Sequence, residues 1–243
     1  MRKVVIVIPA RYQSSRFPGK PLHLFGKRTM IEIVWEKCIN AINYKNVYIA
    51  TDDKRIQNHC LSKNMQVVMT SEKCKTGTDR IYEVSKKIHA QLYINVQGDE
   101  PLIKSGDIKK FIDFSLKYKT NIVNAMTDIS NFSEFKSLNV PKVVYDKNNN
   151  LIYMSRSSIP GSKDNLFVKA KKQVCIYSFP RIMLKKFGIK RKKTQFESIE
   201  DIEILRFLEM GEKVKMFNLK EGTIAVDTIA DAKKVEKIIK NEK

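Results

Sequence analysis

Apolar residues fall into two alternating patterns along the first hundred residues. Val4–Ile8 is an unbroken apolar run, as expected of a strand covered on both faces. Met30, Ile33, Val34, Cys38 and Ala41 recur at helical spacing and predict a helix over 30–41. Val47–Ala50, Gln66–Met69 and Leu92–Val96 read as further strands. Thr51-Asp52-Asp53 offers a helix N-cap with an acidic first turn. Thr78–His89 puts Ile81, Val84 and Ile88 on one helical face. This βαβα order predicts a mostly parallel sheet covered by helices on both faces, with right-handed crossovers.

The pattern changes in 140–180. Val140–Tyr145 and Leu151–Ser155 flank the turn-rich Asp146–Asn150 and predict a hairpin, and Val174–Phe179 predicts another strand. This stretch reads as an insertion or lobe, spanning about 130–190, on a single domain covering residues 1–243. A helix over 198–210, a strand over Val214–Leu219 and a last helix over Thr228–Ile239 follow, with Thr228 and Asp231 approximating a capping box.

Composition narrows the function classes. Hydrophobic residues make up 42% of 243, too many for a disordered chain. The apolar run after Met1-Arg2-Lys3 is short and ends at Pro9, so it does not read as a signal peptide. No apolar run approaches the roughly 20 residues of a membrane span. The expectation is a soluble, cytoplasmic protein with no membrane partner. Cys38, Cys60, Cys74 and Cys175 form no CxxC pair and predict reduced thiols rather than a zinc site. The net charge of +20 raises the question of nucleic acid. The lysines are spread along the whole chain, however, with only short clusters such as Lys190-Arg191-Lys192-Lys193. An anionic small-molecule substrate is the simpler expectation, with no nucleic-acid partner.

Three segments carry candidate chemistry. Pro9-Ala10-Arg11-Tyr12-Gln13-Ser14-Ser15-Arg16-Phe17-Pro18-Gly19-Lys20-Pro21 follows a buried strand directly. Small residues let backbone N–H groups approach a polyphosphate, and Arg11, Arg16 and Lys20 add positive charge. It is not a Walker A loop. Gln97-Gly98-Asp99-Glu100-Pro101 also follows a buried strand, and a carboxylate there suits Mg²⁺, which takes oxygen ligands and substrate phosphates. Ile224-Ala225-Val226-Asp227-Thr228 reads as a strand ending at Asp227 just before a helix. Both acidic segments have a second reading, in which Asp99, Glu100 or Asp227 simply caps the next helix. In open α/β sheets ligands bind beyond the carboxyl ends of strands, so one site can collect these loops and Thr51–Asp53.

Together these segments resemble the sugar-acid cytidylyltransferases, above all the 3-deoxy-D-manno-octulosonate (Kdo) branch, over essentially Val5 to Val235. Pro9, Ala10, Arg11, Ser14, Arg16, Pro18, Gly19 and Lys20 match the family's nucleotide-binding signature. Thr76-Gly77-Thr78-Asp79-Arg80 is similar to the segment that helps hold cytidine, and Gln97–Pro101 to the metal and substrate loop. Ser155-Arg156 with Ile159-Pro160 resembles a sugar-side motif. Glu197, Glu200, Glu203 and Arg206 resemble an acidic helix over the sugar, and Val226-Asp227-Thr228 the second metal carboxylate. Gln173 stands where the family usually carries His, and Cys74 where it often does.

The resemblance implies a three-layer α/β domain of nucleotide-diphosphosugar transferase type, Rossmann-like, with a small dimerisation lobe, assembled as a homodimer. It implies a nucleotidyltransferase that uses CTP to activate a 3-deoxy-2-ulosonic acid, for cell-surface polysaccharide or lipopolysaccharide synthesis. Arg11, Lys20 and Asp99 would be catalytic. Pro9, Ala10, Arg11, Ser14, Lys20, Thr78 and Arg80 would bind nucleotide. Gln97, Arg156, Gln173, Tyr177 and Glu203 would bind the sugar acid, with Asp99 and Asp227 holding Mg²⁺. An amino-substituted Kdo, a nine-carbon acid of sialic type, or a nucleotide-binding module without chemistry remain as alternatives.

Overall fold

The computed structural model describes residues 2–14, 16–164, 166–189, 192–220 and 222–241. Ser15 of the opening loop and Lys190-Arg191 of the basic cluster lie outside the described residues.

The apolar runs become a twisted sheet because their alternate side chains serve opposite faces. In β1 (Arg2–Pro9) every residue from Val4 onward is buried. Val4, Ile6 and Ile8 pack in one apolar cluster, Val5 and Val7 in another. A two-stranded ribbon, β2 (Leu24–Phe25) with β3 (Arg28–Thr29), leads into α1 (Met30–Ile39), whose start is fixed by a Thr29–Glu32 capping box. Then come β4 (Val47–Thr51), α2 (Lys54–Ser62) capped by Asp53, β5 (Val67–Met69), and α3 (Gly77–Lys87) with a Thr76–Asp79 capping box. β6 (Ala90–Val96), α4 (Ser105–Lys117) and β7 (Ile122–Asp128) complete this half. The pattern reading above passes over α4 and β7.

The second half is less regular: α5 (Phe132–Lys136), β8 (Lys142–Tyr145), β9 (Leu151–Ser155), β10 (Lys171–Pro180), α6 (Arg181–Ile189), α7 (Gln195–Glu200), α8 (Leu205–Glu209), β11 (Val214–Asn218) and α9 (Ile229–Asn241). The main sheet runs β11-β7-β10-β6-β1-β4-β5, with β8 and β9 attached beside β10. β1 is parallel to β4 and β6, β4 to β5, and β7 to β11, whereas β10 is antiparallel to both β6 and β7. One cluster packs α1, α2 and α4 on one face of the sheet, and another packs α3, α6 and α8 on the other. The three layers are therefore helix, sheet, helix.

Three expectations change. Val174–Phe179, expected in an inserted lobe, is the antiparallel strand in the middle of the main sheet; the β8–β9 hairpin is what attaches at its side. The single helix over 198–210 is two, because Asp201 takes a left-handed conformation (φ 50°) that ends α7. The strand ending at Asp227 is absent: residues 222–227 form neither helix nor strand. The Val226 N–H there bonds to Asp99 O, in the loop after β6.

Candidate active site

The carboxyl ends of β1, β4, β6 and β7 and the amino end of the antiparallel β10 meet at one edge of the sheet. A cleft of about 990 Å³ opens there. Local geometry forces its walls together. Gly19 has φ +71° and its N–H donates to Tyr12 O at 2.8 Å, closing the loop after β1 on itself. A Cβ at Gly19 would come within 3.1 Å of the Tyr12 ring. Lys20 is thereby turned inward, its side chain 14% exposed. A Cβ at Gly98 would lie 2.9 Å from Pro9 O, so only glycine lets the loop after β6 pass the end of β1.

Asp99 and Asp227, 128 positions apart in sequence, converge on one cation. Lys20 Nζ lies 2.7 Å from Asp99 Oδ2, 3.6 Å from Asp227 Oδ1 and 2.7 Å from Val226 O. Arg16 adds an ion pair to Asp227 at 3.1 Å. Neither acid caps the following helix. The N-cap of α4 is Lys104, and the Thr228 hydroxyl receives the N–H of Asp231 at the start of α9. Glu100, 3% exposed, is pushed up to about 7, first by burial and then by the neighbouring charge of Asp99.

The fit to a metal ion follows from the donors. Among the described residues no group of three or more His, Cys, Asp or Glu side chains is placed to hold a metal alone. Two carboxylates sharing one ammonium are a partial donor set. That set suits a hard cation which takes its remaining ligands from water and substrate phosphates, the habit of Mg²⁺. Lys20 is the stand-in charge that marks the place.

Pro9, Ala10, Arg11, Ser14 and Lys20 all line the cleft. Thr78 and Arg80 are tied to the protein. Thr78 donates its N–H and its hydroxyl to Glu203 Oε2 at 2.9 and 2.6 Å. Arg80, 4% exposed, borders the cleft while its guanidinium donates to Asp52 at 2.6 Å and to Thr70 Oγ1 at 2.8 Å.

Gln97, Arg156, Gln173, Tyr177 and Glu203 also border the cleft. Several already have protein partners. Arg156 donates to three backbone carbonyls, Glu200 O at 2.5 Å, Leu138 O at 2.9 Å and Asp201 O at 3.1 Å. Glu203 accepts the N–H of Gly77 at 3.0 Å as well as Thr78, and so closes the amino end of α3. Burial raises its carboxyl against the lowering effect of those hydrogen bonds. Gln173 Nε2 donates to Asn124 Oδ1 at 3.0 Å. Asn124 in turn donates to Val174 O and Ile176 O, bracing the irregularity where β10 loses register with β7. Burial raises the Tyr177 hydroxyl well above its ordinary range. Glu197 and Arg206 do not line the cleft; they form a fully buried ion pair at 2.6 Å.

Sequence reasoning missed several groups on these walls. Glu134 and Lys172, which pair with each other, and the segment 137–141 border the same end of the cleft. Lys142, 0% exposed, donates to Ser137 O at 2.9 Å and to Arg156 O, and so holds that segment in place. Burial, and then the nearby Arg156, lower its ammonium to about 8. A lysine inside an apolar strand is the one signal available, and it does not say which backbone the side chain will reach.

Comparison with known proteins aligns nearly the whole chain. Residues 5–214 match a family model described as cytidylyltransferase. A 3-deoxy-manno-octulosonate cytidylyltransferase of Fusobacterium nucleatum subsp. nucleatum is 38% identical, with 98% of this chain and 97% of that protein aligned. An 8-amino-3,8-dideoxy-manno-octulosonate cytidylyltransferase of Shewanella pealeana is 37% identical over 88% of this chain and 89% of that one. A solved structure of CMP:2-keto-3-deoxy-manno-octonic acid synthetase complexed with CTP superposes with a TM-score of 0.92 at 33% identity, covering 99% of this chain and all of that one.

Proposed function

The chain belongs to the cytidylyltransferase family, and on that premise we propose that it transfers the cytidylyl group of CTP to a 3-deoxy-2-ulosonic acid of Kdo type. The anomeric hydroxyl of the sugar acid attacks the α-phosphorus, the bond to the β-phosphate bridge breaks, and pyrophosphate leaves. The observation that carries the chemistry is the convergence of Asp99 and Asp227 on the Lys20 ammonium within the cleft. Two acids and a base from three loops serve no evident packing purpose there, and they mark where charge must be balanced.

Charge neutralisation and positioning supply most of the catalysis in reactions at phosphorus. Lys20 and Arg11 face the cleft from the loop after β1 and would neutralise the triphosphate. Asp99 and Asp227 would hold a divalent cation, which we take to be Mg²⁺. When bound, it offsets phosphate charge and lowers the pKa of a coordinated hydroxyl. Gln97, Gln173 and Tyr177 present polar atoms on the sugar side. Arg156 acts there through its three carbonyl partners, which hold 137–141 against the α7–α8 turn, and its remaining N–H donors are left for the sugar carboxylate.

The working protein is proposed to be a cytoplasmic homodimer in a route that builds cell-surface saccharide. Ile152 in β9, and Leu166 and Val168 in the stretch before β10, are each more than half exposed, which supports a second copy as their cover. Among the described residues no helix is long and apolar enough to cross a membrane. The deciding experiment measures pyrophosphate release with each of the four nucleoside triphosphates against Kdo, 8-amino-Kdo and a sialic acid. CTP-dependent release with an eight-carbon acid is expected; release with the sialic acid alone, or none at all, defeats the reading.

A further inference from the structure

Asp227 stands two residues before α9, where its N–H donates to Asp231 Oδ2 at 3.3 Å, but the chain that leads up to it belongs to no regular element. Residues 222–227 run past the 97–101 loop without helix or strand, so each residue's backbone freedom must be restrained by side-chain and loop contacts. Val226, fully buried, donates its N–H to Asp99 O at 2.8 Å. Upstream of it, Thr223 donates its hydroxyl to Glu100 Oε2 through a short hydrogen bond. The Glu100 carboxylate also receives the backbone N–H of Cys175, at the irregularity of β10 where that amide is free of the ladder to β7. Gln97 N–H returns to Cys175 O at 3.3 Å, and Glu100 N–H to Gln97 O at 3.3 Å. One buried carboxylate therefore joins three stretches of chain: the loop carrying Asp99, the bulge of β10, and the segment carrying Asp227.

We propose that Glu100 and Thr223 are a positioning pair for the second carboxylate, a latch that sets where Asp227 stands relative to Asp99. This rests on the reading that those two aspartates hold a divalent cation. The role assigned to Glu100 is support rather than ligation: although it borders the cleft, its carboxylate is 3% exposed and accepts from Thr223 and Cys175. Outer partners of this kind orient ligands and are felt in metal affinity.

The test measures Mn²⁺ binding by electron paramagnetic resonance with CTP present and no sugar acid, so that no turnover occurs. Thr223→Val keeps the side-chain volume and deletes the donor; it should weaken Mn²⁺ about tenfold, the low end for an outer-sphere partner. Thr223→Ser restores the donor and should restore the affinity. In an Asp227→Asn background Thr223→Val should cost nothing further, because the latch acts only through Asp227. Parent-like affinity in Thr223→Val, an equal loss in Thr223→Ser, or the same additional loss in both backgrounds overturns the proposal. Hydrogen exchange read without metal gives a second measure: amides of 222–227 should exchange faster in Thr223→Val and Glu100→Ala, with β6 unchanged. Unaltered exchange at 222–227 overturns the latch as well. Because no sugar acid is involved, a chain that transfers nothing to any sugar acid would defeat the proposed activity and leave the latch standing. Full Mn²⁺ affinity in Asp227→Asn would remove the second carboxylate and the latch together.

Discussion

Lys20 donates to Asp99 at 2.7 Å across 79 positions of sequence, and the same ammonium stands 3.6 Å from Asp227. In the free protein a side chain expected to meet phosphate therefore balances the two acids expected to meet the metal. On the proposed function, a triphosphate in the cleft would compete with those acids for Lys20, and a divalent cation would take over the charge balance.

Replacing Asp99 or Asp227 by Asn keeps the volume and removes one negative donor. Turnover should fall by at least ~100-fold, about 2.7 kcal/mol of barrier, with circular dichroism unchanged. Near-normal turnover of Asp227→Asn at saturating Mg²⁺ would take that residue out of the site.

Lys20→Met should act on two readouts. CTP-dependent turnover should drop strongly, and the metal-free protein should lose about 1–3 kcal/mol, the cost of leaving a partly buried charge without its hydrogen-bonded partner. For a chain of this length that is a melting shift of about 2–12 °C, at about 2–4 °C per kcal/mol. Added Mg²⁺ should recover part of the melting shift. A stability loss that Mg²⁺ does not touch would make Lys20 an ordinary structural lysine.

Lys142 gives a pH dependence with a definite sign. Its ammonium is lowered to about 8 from 10.5, by burial first. Between those values the unfolded chain holds a proton that the folded chain has released. Stability attributable to this residue therefore rises with pH across that window, and its cost is fully present below about 8. Urea unfolding of the parent and of Lys142→Met from pH 7 to pH 10.5 isolates the term. The parent should gain on the variant by about 2–3 kcal/mol; a constant difference would show that Lys142 titrates normally.

Gln173 bears on sugar choice. One N–H of its amide donates to Asn124, which leaves the second N–H and the carbonyl oxygen on offer. A site built around one hydrogen bond rejects the analogue that leaves it unpaired. Gln173→His should change the ratio of catalytic efficiencies for Kdo and 8-amino-Kdo. If that ratio is the same in both proteins, Gln173 does not read the sugar tail.

The Glu197–Arg206 pair should matter to folding alone. Both side chains are essentially fully buried, and they meet at 2.6 Å. Glu197→Ala removes the nearest carboxylate from a buried guanidinium, with Asp79 remaining at 3.7 Å, and should cost about 3–5 kcal/mol. Activity per folded molecule should stay close to that of the parent; a selective loss of sugar binding at full stability would return Glu197 to the site.

The sequence by itself determined the elements whose information is local. The unbroken run Val4–Ile8 must be a strand covered on both faces, and Thr51-Asp52-Asp53 must start a helix, because periodicity and capping depend on neighbours a few residues away. It also showed that the segments carrying Lys20 and Asp99, each beside a glycine, follow the buried strands β1 and β6. The tertiary structure decided who meets whom. Nothing near Val174 in the chain says that β10 enters the centre of the main sheet antiparallel, because strand order rests on partners far away in sequence. Nothing near Asp227 says that it reaches the site on an irregular segment rather than a strand. Arg80, Arg156 and Glu203 were legible as candidates and do border the cleft; Thr78, also a candidate, is not among its lining residues. Whether their donors and acceptors face a ligand or the protein was not legible, because hydrogen-bond satisfaction of a buried group is settled by whichever partner the packed fold places beside it.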